Sequence, residues 1–192
     1  MPRPRATSDA DLLAATARAI GRHGPTRLTL ALVGAEAGVA AATLSQRFGS
    51  KRGLLLAFAA DAAARAAEPY ERARRAHASP LAALHAVAAE IAAHMNTPEE
   101  MANQLGMLQL DLSDPDFRVH AAAHARAVGE ALTGLLAEAV EGGELPPGTD
   151  VPRLARAVQI TTDGSLLRWA LTGEGDPAAQ LHDDIDHLLW RN

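Results

Sequence analysis

The sequence contains no cysteine, which excludes a disulfide framework and a thiolate metal site. Aromatic residues make up only 3% of the 192 residues and β-branched runs are scarce, so the apolar content of 48% comes mostly from alanine and leucine. Both residues are strong helix formers. The composition therefore predicts an all-α protein with enough apolar residues for a sizeable core.

Long hydrophobic runs and catalytic signatures are also missing. No apolar run approaches the roughly 18 residues that a membrane span requires, and no signal peptide opens the chain. We therefore expect a cytoplasmic protein. The sequence has no Gly-rich phosphate loop, no nucleophile elbow and no paired-carboxylate arrangement. We expect no catalytic residues, no enzyme activity and no cofactor.

Positive charge is concentrated near the N-terminus. The formal net charge of −5 alone argues against a nucleic-acid partner, but residues 1–52 carry +5 and the remainder carries −10. Lys51 is the only lysine, and the other cationic side chains are arginines. A basic region beside an acidic remainder indicates a local phosphate-binding face.

Residues 28–59 have the pattern of a helix-turn-helix followed by a longer helix. Thr29 is a typical N-cap residue, and apolar residues follow it at helical spacing. Gly38 stands where a helix ends in the left-handed conformation. A second short helix is predicted from about residue 40 to residue 47, with Leu44 facing inward. Two short helices joined by a glycine-containing turn are typical of a DNA-binding motif.

The order LTL, AGVA, TLSQRFGSK and LL over residues 8–60 resembles the N-terminal domain of TetR-family transcriptional regulators. One position departs from the family pattern, because Ser45 stands where an aromatic residue is usual. The resemblance implies an N-terminal three-helix helix-turn-helix domain and a C-terminal helical ligand-binding and dimerisation domain, with about nine helices in all. We assign residues 1–52 to the first domain and 53–192 to the second.

The resemblance also implies that the second short helix enters a major groove. A glutamine pairs bidentately with adenine, and the methyl groups of threonine and alanine meet a thymine methyl. Phosphates would be held by Thr29, Thr43, Lys51 and the first amides of the fourth helix. The alternative is that these are small polar surface residues with no such role. The residues that we predict to contact DNA are Thr29, Ala40, Ala41, Thr43, Ser45, Gln46, Arg47 and Lys51.

The first seven residues, MPRPRAT, form a short basic arm. Arms of this kind lay arginine side chains into a minor groove. The alternative interpretation is a plain disordered terminus.

Capping patterns predict where the helices begin. Ser8 and Asp11 form a capping-box pattern at the first helix, which the sequence His-Gly-Pro at 23–25 ends. Ser50 is the predicted N-cap of a fourth helix that extends to about residue 75, with a kink or break at Pro69. Four later positions pair a capping residue with proline. The remaining predicted helices are 80–95, 98–111, 115–142, 151–172 and 177–190.

Apolar residues crowd the last two predicted helices, which favours a dimer interface built as a four-helix bundle. The alternative is that these side chains fill the core of one chain. The residues are Val158, Ile160, Leu166, Leu167, Trp169, Leu171, Leu181, Ile185, Leu188, Leu189 and Trp190.

Methionine-rich middle helices indicate a cavity for a small, largely apolar ligand. For each methionine, packing in the core is the competing interpretation. The predicted ligand-binding residues are His94, Met95, Met101, Gln104, Met107, Leu108, Thr162 and Trp169. Asp116, His120 and His124 have a spacing that would suit a divalent metal. We interpret them instead as a solvated helix face and predict no metal.

The sequence therefore favours a sequence-specific DNA-binding regulator, a repressor that a small molecule releases from a palindromic operator. Its expected partners are double-stranded DNA, a second copy of the chain and the ligand. Two alternatives stay open at this point. One is a helical small-molecule-binding protein or enzyme without a DNA-binding role, and the other is a DNA-binding protein that is an activator or never meets a ligand.

Overall fold

A computed structural model describes residues 7–95 and 97–190, and these residues form helices and no strand. The predicted basic arm lies outside the described residues except for Thr7. The helices are α1 (Asp9–Arg27), α2 (Leu30–Ala37), α3 (Ala41–Phe48), α4 (Lys51–Ala64), α5 (Glu68–Ala76), α6 (Pro80–Ala93), α7 (Pro98–Ser113), α8 (Pro115–Glu141), α9 (Val151–Thr172) and α10 (Pro177–Trp190).

The predicted all-α class is confirmed, and so is the predicted break of the fourth helix. The break lies at residues 65–67, just before Pro69, and Pro69 occupies the first turn of α5. Proline has no amide hydrogen, and the first turn is the part of a helix that needs none. The count of nine predicted helices is met when α4 and α5 are taken as one broken helix.

The predicted caps are present. Ser8 and Asp11 form the capping box of α1, with the Ser8 hydroxyl accepting from the Asp11 amide at 3.1 Å. Ser50 accepts from the amide of Gly53 at 3.1 Å, at the start of α4. The proline-led helices begin where the sequence predicted, since α6, α7, α8 and α10 each start at the proline. Helix α1 is kinked at Gly24, whose φ and ψ are 69° and 159°.

The chain divides into two compact units. Unit 1 comprises the described part of Met1–Ala63 together with Ala102–Ala122, and unit 2 comprises Ala64–Met101 with the described part of Ala123–Asn192. Helices α7 and α8 contribute residues to both units. The predicted domain boundary between residues 52 and 53 stays a prediction.

Each unit has an apolar core of its own. In unit 1 the buried cluster joins α1, α2, α3 and α4 to the parts of α7 and α8 that belong to this unit, and it includes Leu12, Ile20, Val33, Leu44, Leu54, Met107 and Phe117. In unit 2 the buried residues include Leu84, Val87, Leu136, Val158, Trp169, Leu181 and Ile185. Among the described residues, no helix is both long enough and apolar enough to cross a membrane.

Candidate nucleic-acid interface

The turn between α2 and α3 has the geometry that the sequence predicted. The Thr29 hydroxyl accepts from the Leu32 amide at 3.2 Å and so caps α2. Gly38 ends α2 in the left-handed conformation, with φ 70° and ψ 29°, which a residue with a Cβ adopts only at a cost. The Val39 amide donates to the Gly34 carbonyl at 2.9 Å, which closes the turn.

Helix α3 packs through one side and leaves the other side accessible. Leu44 is its only buried residue, and Phe48 is partly buried against the same core. None of the eight residues predicted to contact DNA is buried. Thr29, Ala40, Ser45, Gln46 and Arg47 are exposed, whereas Ala41, Thr43 and Lys51 are half-buried. The accessible α3 surface, Thr29 and Lys51 all belong to unit 1.

Several of these side chains keep free hydrogen-bonding capacity. In the described part of the chain, Thr43 and Gln46 make no side-chain hydrogen bond to another residue. The Thr29 hydroxyl acts as an acceptor in its cap, so its own hydrogen remains available to donate. Lys51 donates from Nζ to the Thr26 carbonyl at 2.9 Å, which uses one of three donors. These groups are thus able to meet phosphates or base edges.

Arg47 is already engaged inside unit 1. Its Nη1 donates to the Thr7 carbonyl at 2.7 Å and to the Asp9 carboxylate at 2.7 Å. A guanidinium carries five N–H groups, so other donors remain. Arg47 therefore links α3 to the start of α1, and this role could not be predicted from the sequence because Asp9 is 38 positions away.

Some of the basic side chains in residues 1–52 form ion pairs with acidic side chains. Glu36 accepts from Arg18 at 2.7 Å and from Arg22 at 2.6 Å. The hydrogen bond from Arg18 lowers the pKa of the Glu36 carboxyl, against a smaller opposing effect of burial. The +5 of residues 1–52 already counts Glu36, so these ion pairs leave the net charge unchanged but hold Arg18 and Arg22 at that carboxylate.

Arg52 belongs to a second ion-pair group in unit 1. Its Nη2 lies 2.8 Å from the nearer oxygen of Asp114 and 2.8 Å from Asp116. The hydrogen bond from Arg52 lowers the pKa of Asp114. The sequence indicated a solvated face of Asp116, His120 and His124. The pairing with Arg52 was missed because Asp116 lies 64 positions further along the chain.

A cavity of about 530 Å³ adjoins these residues within unit 1. Apolar side chains supply much of its wall, and Lys51, Arg52 and Asp114 supply charge. Its volume falls in the range of small-molecule sites. The apolar lining residues are Pro25, Leu55, Leu110 and Phe117.

The residues predicted to bind a ligand are divided between the two units, and none of them lines this cavity. In unit 1, Met107 is buried in the core, Gln104 is half-buried and Leu108 is 48% exposed. In unit 2, Met101 and Trp169 are buried, Met95 and Thr162 are half-buried, and His94 is exposed with Nδ1 2.6 Å from the Glu90 carbonyl. This ligand set stays a prediction.

The predicted interface residues separate into a buried group and an exposed group, and Leu188 is half-buried. Val158, Leu166, Trp169, Leu181, Ile185 and Leu189 are buried within unit 2, as the core interpretation has it. Four others are exposed, namely Ile160, Leu167, Leu171 and Trp190.

Two family models match the sequence. The model of bacterial regulatory proteins, tetR family, matches residues 12–58, and the model of the BetI-type transcriptional repressor C-terminal region matches residues 80–191. The second match alone covers more than half of the chain. No curated protein matches the sequence.

Solved structures share the fold at low sequence identity. The regulator FadR from Bacillus subtilis, in complex with stearoyl-CoA, is 20% identical with a TM-score of 0.73, over 95% of this chain and 98% of that one. A TetR transcription regulator from Haloarcula marismortui is 18% identical with a TM-score of 0.76, over 94% and 95%. SmeT, the repressor of a Stenotrophomonas maltophilia efflux pump, is 22% identical with a TM-score of 0.68, over 96% and 89%.

Proposed function

The chain belongs to the TetR family of bacterial regulatory proteins, and we propose that it acts as a dimeric repressor that a small molecule releases from a two-fold operator. As a family member it is a DNA-binding transcriptional regulator. The observation that carries the proposal is the accessible surface of α3, where Leu44 alone is buried and the polar residues remain available.

In the proposed complex, phosphate contacts fix the position of α3 and base contacts supply specificity. Thr29, Thr43 and Lys51 hold phosphates together with the first amides of α4, which point away from the helix and attract anions. Gln46 reads a base edge, and Ala40 and Ala41 allow close approach of the backbone. Such a protein functions where the chromosome is, so we expect it in the cytoplasm.

The first test measures the Lys51 contact with phosphate. Lys51→Ala is expected to weaken binding to all duplexes and to reduce the slope of log K against log salt by about 2 for the dimer, because about one fewer counterion is released at each of the two half-sites. Fluorescence anisotropy over a salt series measures the slope. Arg75→Ala removes an exposed cation in unit 2 and should leave the slope unchanged. An unaltered slope in Lys51→Ala would remove that residue from the phosphate contacts.

The second test measures the Gln46 contact with a base. Gln46→Ala is expected to weaken binding to the preferred operator sequence by about 1–3 kcal/mol for each lost base contact. It should also relax the base preference at one position of each half-site. Selection from a randomised operator library measures preference at every position in one experiment, so the other positions serve as the control. If the preference of the variant matches that of the wild-type chain throughout, Gln46 is not a base reader.

For the ligand we propose a small, largely apolar molecule in the cavity of unit 1. Apolar walls at Pro25, Leu55 and Phe117 suit its body, and Lys51 lies in the same lining. A molecule that contacts Lys51 there withdraws a proposed phosphate contact, so ligand and operator would oppose each other. Such coupling is reciprocal, because each partner must lower the affinity for the other by the same factor.

A thermal-shift screen of small molecules, followed by anisotropy with operator DNA, tests this ligand mechanism. The expected hit raises the melting temperature and weakens operator binding. If the chain binds DNA and no stabilising ligand weakens that binding, the result would favour a regulator without an inducer. A stabilising ligand for a chain that binds no duplex, including its own upstream DNA, would favour a helical small-molecule-binding protein or enzyme without a DNA-binding role.

A further inference from the structure

His85, His182 and Asp186 form a cluster in unit 2 that takes no part in the proposed DNA or ligand contacts. His85 belongs to α6, and His182 and Asp186 lie one turn apart on α10, which packs against α6. From this geometry we infer that the three side chains bind a divalent transition-metal ion of the zinc type.

The distances between the ligand atoms suit a single ion. Nε2 of His85 lies 3.0 Å from Oδ1 of Asp186, and Nε2 of His182 lies 3.5 Å from Oδ2. One ligand atom from each residue falls within 4.8 Å of the others. Tetrahedral zinc with bonds of about 2.0–2.1 Å holds its ligand atoms about 3.4 Å apart. Small side-chain rotations therefore suffice to bring all three atoms onto one ion.

The chemistry of the cluster also suits zinc. Histidine binds a metal ion as neutral imidazole. The ring centroids of His85 and His182 lie 4.1 Å apart, so two imidazoles are present at one place. The Asp186 carboxylate supplies negative charge and a hard oxygen ligand.

The coordination shell sets a limit on affinity. Three protein ligands leave the fourth coordination position of a tetrahedral ion for water. The His182 side chain is 53% exposed, so solvent reaches this ligand. Nδ1 of His85 is buried and has no hydrogen-bond partner among the described residues. When a metal ion binds Nε2, the ring proton of His85 stays on Nδ1. The lack of a hydrogen-bond acceptor for that proton typically lowers the metal affinity about 10–100-fold. We therefore expect micromolar binding instead of nanomolar binding.

A bound ion would cross-link α6 and α10, so it should stabilise the folded chain increasingly, with the logarithm of the zinc concentration once that concentration exceeds Kd. This consequence is independent of DNA binding and of the proposed inducer. It provides a readout that needs neither an operator nor a ligand.

The experiment uses the full chain without a polyhistidine tag, stripped of metal with a chelator and titrated calorimetrically with zinc chloride at neutral pH. The expected result is one zinc ion per chain, with a melting temperature that rises on zinc addition and returns with EDTA. No saturable binding at micromolar zinc would overturn the inference.

Two variants locate the ion. His182→Ala removes an exposed ligand and is expected to weaken zinc binding at least tenfold, and Asp186→Asn, which keeps the side-chain shape, should also weaken it. His120→Ala is the matched control from α8 and should bind zinc like the wild-type chain. Circular dichroism verifies that each variant is folded. Unchanged affinity in His182→Ala, or loss of zinc in the His120 variant alone, would place the ion elsewhere and overturn the inference.

Discussion

Replacing Gly53 with alanine is expected to destabilise unit 1 by about 3 kcal/mol or more, in the upper range for overpacking. A Cβ at this position would overlap the carbonyl oxygen of Phe48, which belongs to the backbone at the end of α3. A backbone atom cannot rotate away as a side chain can. Relief therefore requires α3 and α4 to move apart, which disturbs the buried contacts of Leu44 and Leu54. Operator affinity should fall with the fraction of folded chain.

Gly134→Ala is the matched control for this prediction, because Gly134 lies in α8 and a Cβ there would meet nothing within 4 Å. Alanine exceeds glycine in helix propensity by about 1 kcal/mol, so this variant should be slightly more stable than the wild-type chain. Urea denaturation of both variants measures the difference. Equal stability of the two variants would mean that the α3–α4 corner is looser than its geometry indicates.

Local patterns in the sequence predicted most of the helix boundaries, for a simple physical reason. A capping side chain bonds an amide only two or three residues away, so its whole interaction lies within a short stretch of sequence. The Thr29 cap, the Gly38 turn and the proline-led helix starts are all of this kind. The break before Pro69 follows equally from local chemistry.

Long-range pairings could not be read from the sequence. Arg52 meets Asp114 and Asp116, and Arg47 meets Asp9, only because separate helices pack together. The cavity of unit 1 depends on the same packing, since its lining comes from four separated stretches of the chain. The +5 of residues 1–52 leaves out Asp114 and Asp116, which pair with Arg52, so it overstated the positive charge of unit 1.

The spacing of apolar residues in the sequence does predict which residues of α9 are buried and which are exposed. Ile160, Leu167 and Leu171 are spaced by seven and four residues, so they project from one side of a helix. Val158 and Trp169 project elsewhere and are buried. Counting apolar residues on the helix missed this distinction, whereas their angular positions would have separated an outer stripe from a core face.

We propose that this outer stripe, formed by Ile160, Leu167 and Leu171, is part of the dimer interface. Leu171 is 79% exposed, Ile160 is 59% exposed, and Trp190 of α10 is 66% exposed. A single helix-turn-helix unit buries too little DNA surface for a tight specific site, and dimers meet two half-sites one helical turn apart. A second copy of the chain is therefore the occupant that we propose for the stripe.

Leu171→Glu is expected to convert the proposed dimer to a monomer and to weaken operator binding by about 100-fold, because two linked half-site contacts become independent. In a two-fold interface the substitution occurs in both copies. Each copy would then bury a carboxylate against the apolar surface of the other, which opposes association. Sedimentation velocity measures the oligomeric state, and anisotropy with the operator measures affinity. Leu112→Glu, at a position 65% exposed on α7, is the matched control and should leave both unchanged. A Leu171→Glu chain that remains dimeric, or a Leu112→Glu chain that dissociates instead, would move the interface away from α9.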